Sequence, residues 1–522
     1  MNTLDFLSIA SAVCPQRTAV SFEGTRFSFA QLEERSHRLA QALRRLGVEP
    51  GEKVAIIQVG THQYLESYFA TALAGGVFVP LNFRARRDEL IYLVNHSEAQ
   101  VLLVGERYTD MVDDILPSIP WVRHLVALDS PRPGWLHYQD LLSTPEDEEP
   151  FPEIEDEDVT LLVYTSGTSG RPKVVPLAHS NIASYMADNV QPADPDVEET
   201  NLLCVPPYHV AGLQGMLAAV YGGRTIAMLR QFDADDWLRT VEQEGVNRSM
   251  LVPTMLKRIV EHPDFSKYDL SSLRVLTYGA APMPFEVIKK AIEMLPGVRF
   301  INAFGQTETA ATVTALGPDD HDLSGTPEQR EKNLKRLAGS IGRSLPGVQM
   351  AVLDEQGREL PPGEVGEIVV RGGQVMKGYW KDADKSAQAI DDWGWLHTSD
   401  MGWRDEEDYF YLSGRGDDMV IRGGENISPE EVEQVLHSHP QIEEAALIGV
   451  PDPDWGQEPW AVVVLKPGAQ ATAEEITGFC RQRLSSYKCP CSVVFVDSLP
   501  RNPMGKVVRR VLREQYGTAP VS

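Results

Sequence analysis

The chain has 522 residues, 42% hydrophobic and 24% charged, an ordinary globular composition on a length that calls for two or more domains. A formal net charge of −27 excludes a protein that coats nucleic acid, or one whose main partner is an anionic membrane surface. No run of about 18 apolar residues marks a membrane span, no basic-then-apolar leader follows Met1, and five scattered cysteines predict a reducing compartment.

From the N-terminus, Ser28-Phe29-Ala30-Gln31 has the form of a capping box. Leu32, Leu39, Leu43 and Leu46 then give a helical stripe ended by Gly47. Short apolar runs at 54–57, 77–81 and 101–104, with a helical segment near 64–74, predict alternating strand and helix and hence α/β layering. Residues 144–158 are acidic and broken by prolines, which predicts a solvated connection.

The stretch that follows carries the densest chemistry. Leu161 to Tyr164 predicts a strand; Thr165, Ser166, Gly167, Thr168, Ser169, Gly170 and Arg171 come next, then Pro172, Lys173 and two valines. Glycines let backbone approach a ligand, and successive exposed N–H groups form an anion-binding nest. Hydroxyls and the Lys173 ammonium add donors for phosphate oxygens. The loop reads as a phosphate cradle, with a plain Gly/Ser-rich hairpin loop as the other reading. It is not a Walker loop, because no Gly-Lys-Ser/Thr opens a helix.

Beyond the cradle, His179-Ser180-Asn181 predicts a helix start, and 205–212 is a proline-stiffened loop carrying His209. A strand at 273–278 runs into Gly279-Ala280-Ala281-Pro282, residues small enough for close ligand approach. The run 299–304 ends in Gly305-Gln306-Thr307-Glu308-Thr309, where a carboxylate and hydroxyls suit magnesium beside phosphates, or form a polar turn. Residues 318–337 predict a mobile loop. Strands are expected at 366–371 and 409–412, and Asp400 between them is placed to hold a ribose diol or to cap a helix.

Gly414-Arg415-Gly416-Asp417-Asp418 is a candidate hinge. After it come a strand at 419–421, a Gly423-Gly424-Glu425-Asn426 turn, a helix opened by Ser428-Pro429, strands at 445–450 and 460–465, and a helix at 473–484. Cys489-Pro490-Cys491 has no second Cys or His pair nearby, so no metal is expected there. The segment 499–510 is basic in an acidic chain. It is either a solvated helix face or a tight turn bringing Lys506 to an anionic substrate.

Together these stretches (164–173, 206–212, 302–309, 398–400, 411–433 and 500–510, in that order) resemble the adenylate-forming superfamily of acyl-coenzyme A synthetases, luciferases and nonribosomal adenylation domains. The resemblance implies a mixed α/β and α+β fold. A large N-terminal domain, 1–415, would consist of layered β-sheets with helices and a distorted β-barrel; 416–522 would be a small mobile α+β lid. It also implies an ATP-dependent acid–thiol ligase that makes acyl-AMP, releases pyrophosphate and passes the acyl group to coenzyme A.

Carried over by position, Thr165 to Gly170 and Lys173 would hold the ATP phosphates. Gly279, Ala280, Ala281, Phe304 and Gly305 would form the adenine side of the site, with Phe304 standing where many relatives have tyrosine. Glu308, with Thr165 and Thr307, would hold Mg2+, and Asp400 and Arg415 the ribose. His209 would gate the carboxylate pocket and Lys506 would be the adenylating lysine, so that Thr165, Glu308, His209 and Lys506 form the catalytic set. Asp417 falls at the hinge; Gly423, Gly424 and Glu425 would face the pantetheine of coenzyme A, near Trp455.

The acyl pocket is expected among Val210, Ala211, Leu213, Met250, Leu251 and Ala303, with Arg248 the one nearby cation. That set suits a fatty or other apolar-tailed acid over a dicarboxylate. An aromatic or alicyclic acid, transfer to a carrier protein, and an inactive nucleotide-binding homologue are the alternatives. The expected partners are small molecules, with no nucleic acid and at most peripheral membrane contact, for a cytoplasmic monomer or homodimer.

Overall fold

The computed structural model describes residues 1–143, 150–165, 172–415, 418–422, 425–452, 455–502 and 506–517. The helix Phe29–Arg45 forms as its sequence prescribes. The Ser28 N–H donates to Gln31 Oε1 at 2.8 Å, and the Gln31 N–H donates to Ser28 Oγ at 3.3 Å. Leu32, Leu39 and Leu43 face the core, and Gly47 takes the left-handed φ of +85° that lets the chain turn away.

Strands Lys53–Ile57, Val77–Pro80, Ala99–Val104 and His124–Ala127 pair in parallel. They belong to a seven-stranded sheet whose far edge is the antiparallel hairpin Val159–Thr165/Lys173–Ala178. A thirteen-stranded sheet lies beside it. Its parallel centre comprises Thr225–Met228, Thr200–Leu203, Arg248–Leu251, Val275–Gly279 and Arg299–Gln306. The order then turns antiparallel through Ala311–Leu316, Ser340–Ser344, Phe410–Arg415, Leu396–Arg404, Gly366–Gly372 and Val348–Leu353, the region of the expected barrel. The chain beyond 418 builds a separate sheet around the antiparallel pair Ile442–Asp452/Gly456–Leu465, flanked by helices Pro429–His437, Ala473–Arg481 and Arg509–Tyr516. Val420, Val432, Leu436, Leu447 and Ile476 form a core there that contains no residue from the larger sheets. The mixed α/β and α+β architecture is therefore present.

Four local expectations change. Residues 318–337 are not a loop: they hold the turn Pro318–His321 and most of the helix Pro327–Gly339. Thr326 Oγ1 accepts from the Gln329 N–H at 3.3 Å, and Asn333 donates to the carbonyls of Asp319 and Asp322 at 2.8 Å. Arg336 is buried on Asp320 at 2.8 Å, so a sequence rich in charge hides a buried face. The helix His179–Asn189 begins where expected, but its cap comes from inside, with Asn181 Oδ1 accepting from the Ala178 N–H at 2.9 Å. Asp400 caps no helix and lies within the strand Leu396–Arg404.

The basic segment near 509 is not a solvated face either. Arg509 donates to Glu433 at 2.8 Å and to Asp418 at 3.3 Å, and Arg513 donates to Asp418 at 2.9 Å. Breaking one side of such a buried ion cluster costs about 3–5 kcal/mol. Arg509→Ala is expected to lower the unfolding free energy from urea denaturation by that order, with a matching fall in the midpoint, and Arg509→Lys by less. A midpoint unchanged in Arg509→Ala would remove this cluster from the fold's supports.

Candidate active site

The cradle hairpin closes on Thr165 and Lys173, which are register partners at its open end; Ser166, Gly167, Thr168, Ser169 and Gly170 lie outside the described residues. The Lys173 ammonium stands 3.4 Å from the Tyr379 hydroxyl and 4.6 Å from its ring centroid. That hydroxyl donates to Glu308 Oε1 at 2.9 Å. Backbone bonds hold the bridge at both ends: Met376 N–H to the Glu308 carbonyl at 2.8 Å, and Trp380 N–H to the Val174 carbonyl at 2.9 Å. Tyr379 thus joins the cradle lysine to the carboxylate expected to hold magnesium. Sequence reasoning passed over it, because an aromatic residue after Gly378 signals packing as readily as chemistry.

Glu308 sits on a short turn, Thr307–Thr309, at the end of the strand Arg299–Gln306. Gly305 is required there, since a Cβ would lie 1.5 Å from the Ala311 carbonyl oxygen. Beside it, Gln306 donates through Nε2 to Asp400 Oδ2 at 2.6 Å and to the Thr398 carbonyl at 3.0 Å. Asp400 is buried and is the register partner of Arg415 across the ladder. The two residues expected on the ribose are therefore register neighbours, and Gln306 ties Asp400 to the Glu308 turn. Gln306 was also missed; a glutamine shows its role only once its partner is known.

On the adjacent strand, Gly279 pairs with Ala303, and a Cβ on Gly279 would meet the Ala303 carbonyl oxygen at 2.0 Å. Ala280 follows at φ +67°, and Ala281 is half-buried. Phe304 is half-buried against Ile341, Val352, Ile368 and Phe410. The nucleotide-side residues thus gather at neighbouring strand ends, where open parallel sheets bind ligands.

His209 precedes the helix Val210–Tyr221, and its carbonyl accepts from the Leu213 N–H at 3.0 Å. Its ring lies 4.0 Å from that of Tyr208, centroid to centroid, and its Nε2 is buried with no hydrogen-bond partner among the described residues. Burial lowers its pKa to about 3, and the charges of Lys506 and Arg84 push the same way. Lys506 is therefore within electrostatic reach of His209, although 297 positions separate them in the chain. The lysine sits at a turn where its N–H donates to Asn502 Oδ1 at 2.9 Å and its carbonyl accepts from the Asn502 N–H at 2.8 Å.

Asp417, Gly423 and Gly424 lie outside the described residues. Glu425 is placed through its backbone, opposite Arg422. Trp455 is exposed, with the Arg422 guanidinium 5.3 Å from its ring.

Arg248 does not serve as a pocket cation. It opens the strand Arg248–Leu251 and donates to Glu199 at 2.8 Å; Glu199 also takes Arg224 at 2.8 Å. Val210, Ala211 and Met250 are half-buried apolar surface, while Leu213, Leu251 and Ala303 are buried. Among the described residues no three His, Cys, Asp or Glu side chains converge on a metal position, and Cys489 and Cys491 are free thiols. Glu308 offers one carboxylate whose Oε2 has no partner among the described residues. That suits magnesium carried in on phosphates, not a metal caged by protein alone.

The hairpin ending in Thr165 and Lys173, the Glu308 carboxylate, the Asp400/Arg415 register pair and the buried His209 are the elements from which the site is read. The chain belongs to the AMP-binding enzyme family: the AMP-binding enzyme model matches residues 8–380, and that of the AMP-binding enzyme C-terminal domain matches 431–506. It is 37% identical to a feruloyl-CoA synthase of Amycolatopsis sp, over 96% of each chain. It is 34% identical to an indoleacetate–CoA ligase of Aromatoleum aromaticum, over 98% of each. The crystal structure of the anthranilate CoA ligase AuaEII with anthranoyl-AMP superposes at a TM-score of 0.88 with 27% identity, covering 99% of this chain and 97% of that one. The chain is accordingly an acid–CoA ligase of the AMP-forming type, in a family whose substrates include ATP and coenzyme A. No helix among the described residues is long and apolar enough to cross a membrane.

Three further histidines are held neutral by burial: His179, His321 and His437, each with a pKa lowered to about 4. In the unfolded chain all four histidines take up protons near pH 6.5, before the folded chain does. Their contribution to stability is thus complete above about pH 6.5 and lost as pH falls toward 4. The melting temperature should drop across that interval, and His321→Gln should make the drop shallower. An identical slope in wild type and His321→Gln would count against this assignment.

Proposed function

We propose that this chain is an acyl-coenzyme A synthetase that joins an apolar-tailed carboxylic acid, aryl ahead of fatty, to coenzyme A through an acyl-AMP. The observation that carries the reading is the continuous Lys173–Tyr379–Glu308 bridge beside the Gln306–Asp400 bond, which links the phosphate, metal and ribose positions. Aryl acids come first because two of the relatives are named for ferulate and indoleacetate. Neutralisation of Arg248 by Glu199 leaves no reason to expect a second carboxylate on the acid.

In this reading the cradle and Lys173 hold the triphosphate, Asp400 and Arg415 hold the ribose, and Phe304 lies against adenine. Glu308, with Thr165 and Thr307, would hold a magnesium ion, which supplies positive charge to the phosphates. Neutral His209 donates from an Nε2–H tautomer to the acid's carboxylate, orienting it without protonating it. Lys506 places its ammonium where charge builds as the carboxylate oxygen attacks the α-phosphorus and pyrophosphate leaves. Residues 416–522 act as the lid. Turning at Asp417, they withdraw Lys506 and bring Gly423, Gly424 and Glu425 to the pantetheine arm, whose thiolate displaces AMP from the acyl carbon.

The test is AMP release with ATP and magnesium across aryl, fatty, alicyclic and dicarboxylic acids, each with and without coenzyme A. Coenzyme-dependent turnover on apolar-tailed acids supports the reading. Pyrophosphate exchange without it would assign the acyl group to a carrier protein, and silence on every acid would leave an inactive nucleotide binder. Lys506→Ala should slow adenylate formation by roughly 100- to 1,000-fold, the effect of removing one preorganised charge donor, while sparing thioester formation from supplied acyl-AMP. Tyr379→Phe keeps the ring under Lys173 and removes the bond to Glu308. It should raise the magnesium concentration for half-maximal pyrophosphate exchange by about tenfold, the scale of one hydrogen bond to a charged group, and leave the KM for the acid unchanged.

A further inference from the structure

The helix Val210–Tyr221 and its cap carry two buried polar atoms that meet no hydrogen-bond partner among the described residues: His209 Nε2 and Gln214 Nε2. Gln214 is only 9% exposed. A buried donor left without a partner costs about 1–3 kcal/mol, which a ligand acceptor at Gln214 Nε2 would recover. On its other side the Thr312 hydroxyl donates to Gln214 Oε1 at 3.2 Å. With its oxygen occupied, Gln214 presents its NH2 group as the unused face.

Thr312 is the register partner of Gly305, so Gln214 lies against the strand pair that also carries the nucleotide side of the site. His209 and Gln214 are five residues apart, about 7.5 Å along a helix axis. Around that axis they stand about 140° apart, with Leu213 and Val210 on the arc between them. The flanking Val210 and Leu213 are apolar, which suits a ring or alkyl body between the two polar ends.

We propose that Gln214 determines substrate choice by donating from its amide NH2 to an acceptor oxygen (methoxy, hydroxyl or carbonyl) on the distal part of the acid's tail. The preferred acid is then an oxygen-bearing aryl or similarly long acid, not an unadorned hydrocarbon chain. This rests on the acyl-coenzyme A synthetase reading above.

The experiment compares kcat/KM for 3-phenylpropenoate, 3-(4-methoxyphenyl)propenoate and octanoate in wild type and in Gln214→Leu, with propanoate as an acid too short to reach the amide. A methoxy oxygen only accepts, so it tests the donor. Wild type should favour the methoxy acid over its parent by tenfold or more, because a site built to donate rejects the analogue that leaves its donor unpaired. In Gln214→Leu the preference should collapse, the methoxy acid losing and octanoate gaining, with propanoate unchanged. If Gln214→Leu does not fold, Thr312→Val, which frees the amide oxygen, should reduce the same ratio.

A wild type indifferent to the methoxy group, a ratio that survives the substitution, or an equal loss on all four acids would overturn the proposal. Those outcomes leave the ligase reading standing as long as wild type turns over any acid with coenzyme A. Absence of turnover on every acid would overturn both.

Discussion

Two anions, a carboxylate and a triphosphate, must meet inside a protein whose own formal charge is −27, and the site is arranged around that repulsion. Many of the chain's cations are already spent on carboxylates, as Arg248 and Arg224 are on Glu199 and Arg509 is on Glu433. Lys173 is treated differently: it rests on the hydroxyl and ring of Tyr379. A phenol orients an ammonium without neutralising it, so the charge stays available to phosphate. The same hydroxyl fixes one oxygen of Glu308. One neutral group thereby holds a cation and an anion at a set spacing and keeps them from collapsing into an ion pair of their own.

The histidine follows the same logic. A protonated His209 would attract the carboxylate but would also add charge beside Lys506. Burial and that lysine hold its pKa near 3, which fits the proposed division of roles, with the ring orienting the acid and the lysine stabilising charge. Burial is the main cause of that neutrality, and Lys506, from the C-terminal segment, adds to it.

What the sequence disclosed, and what it concealed, divides along locality. The capping box at Ser28, the strands bounded by glycine, and the close-packed strand ends at Gly279 and Gly305 were legible because their meaning lies within a few neighbours. The helix Pro327–Gly339 was taken for a loop because its buried face is polar, and Asn333 and Arg336 declare themselves only beside Asp319, Asp320 and Asp322. Tyr379, Gln306 and Gln214 escaped for the same reason: each acts through a residue 71 to 98 positions away. Arg248 shows the converse error, a cation that looked available until Glu199, 49 positions earlier, was seen to hold it.

The contacts between the C-terminal segment and the rest of the chain bear on how one lysine can serve a two-step reaction. Apolar clusters on the two sides do not mix: those of the C-terminal sheet contain only residues beyond 418. What crosses is polar, including Lys257 to Glu443 at 2.5 Å and the Gln434 amide on the Ala338 carbonyl, with His437 close to both Lys257 and Glu443. A mixed hydrophobic core would hold the segment in one pose, since its removal would expose apolar area to water. Ion pairs and hydrogen bonds of this kind exchange for water at little net cost. An attachment made of them is compatible with the proposed two-step use of Lys506, since it can be released at little net cost.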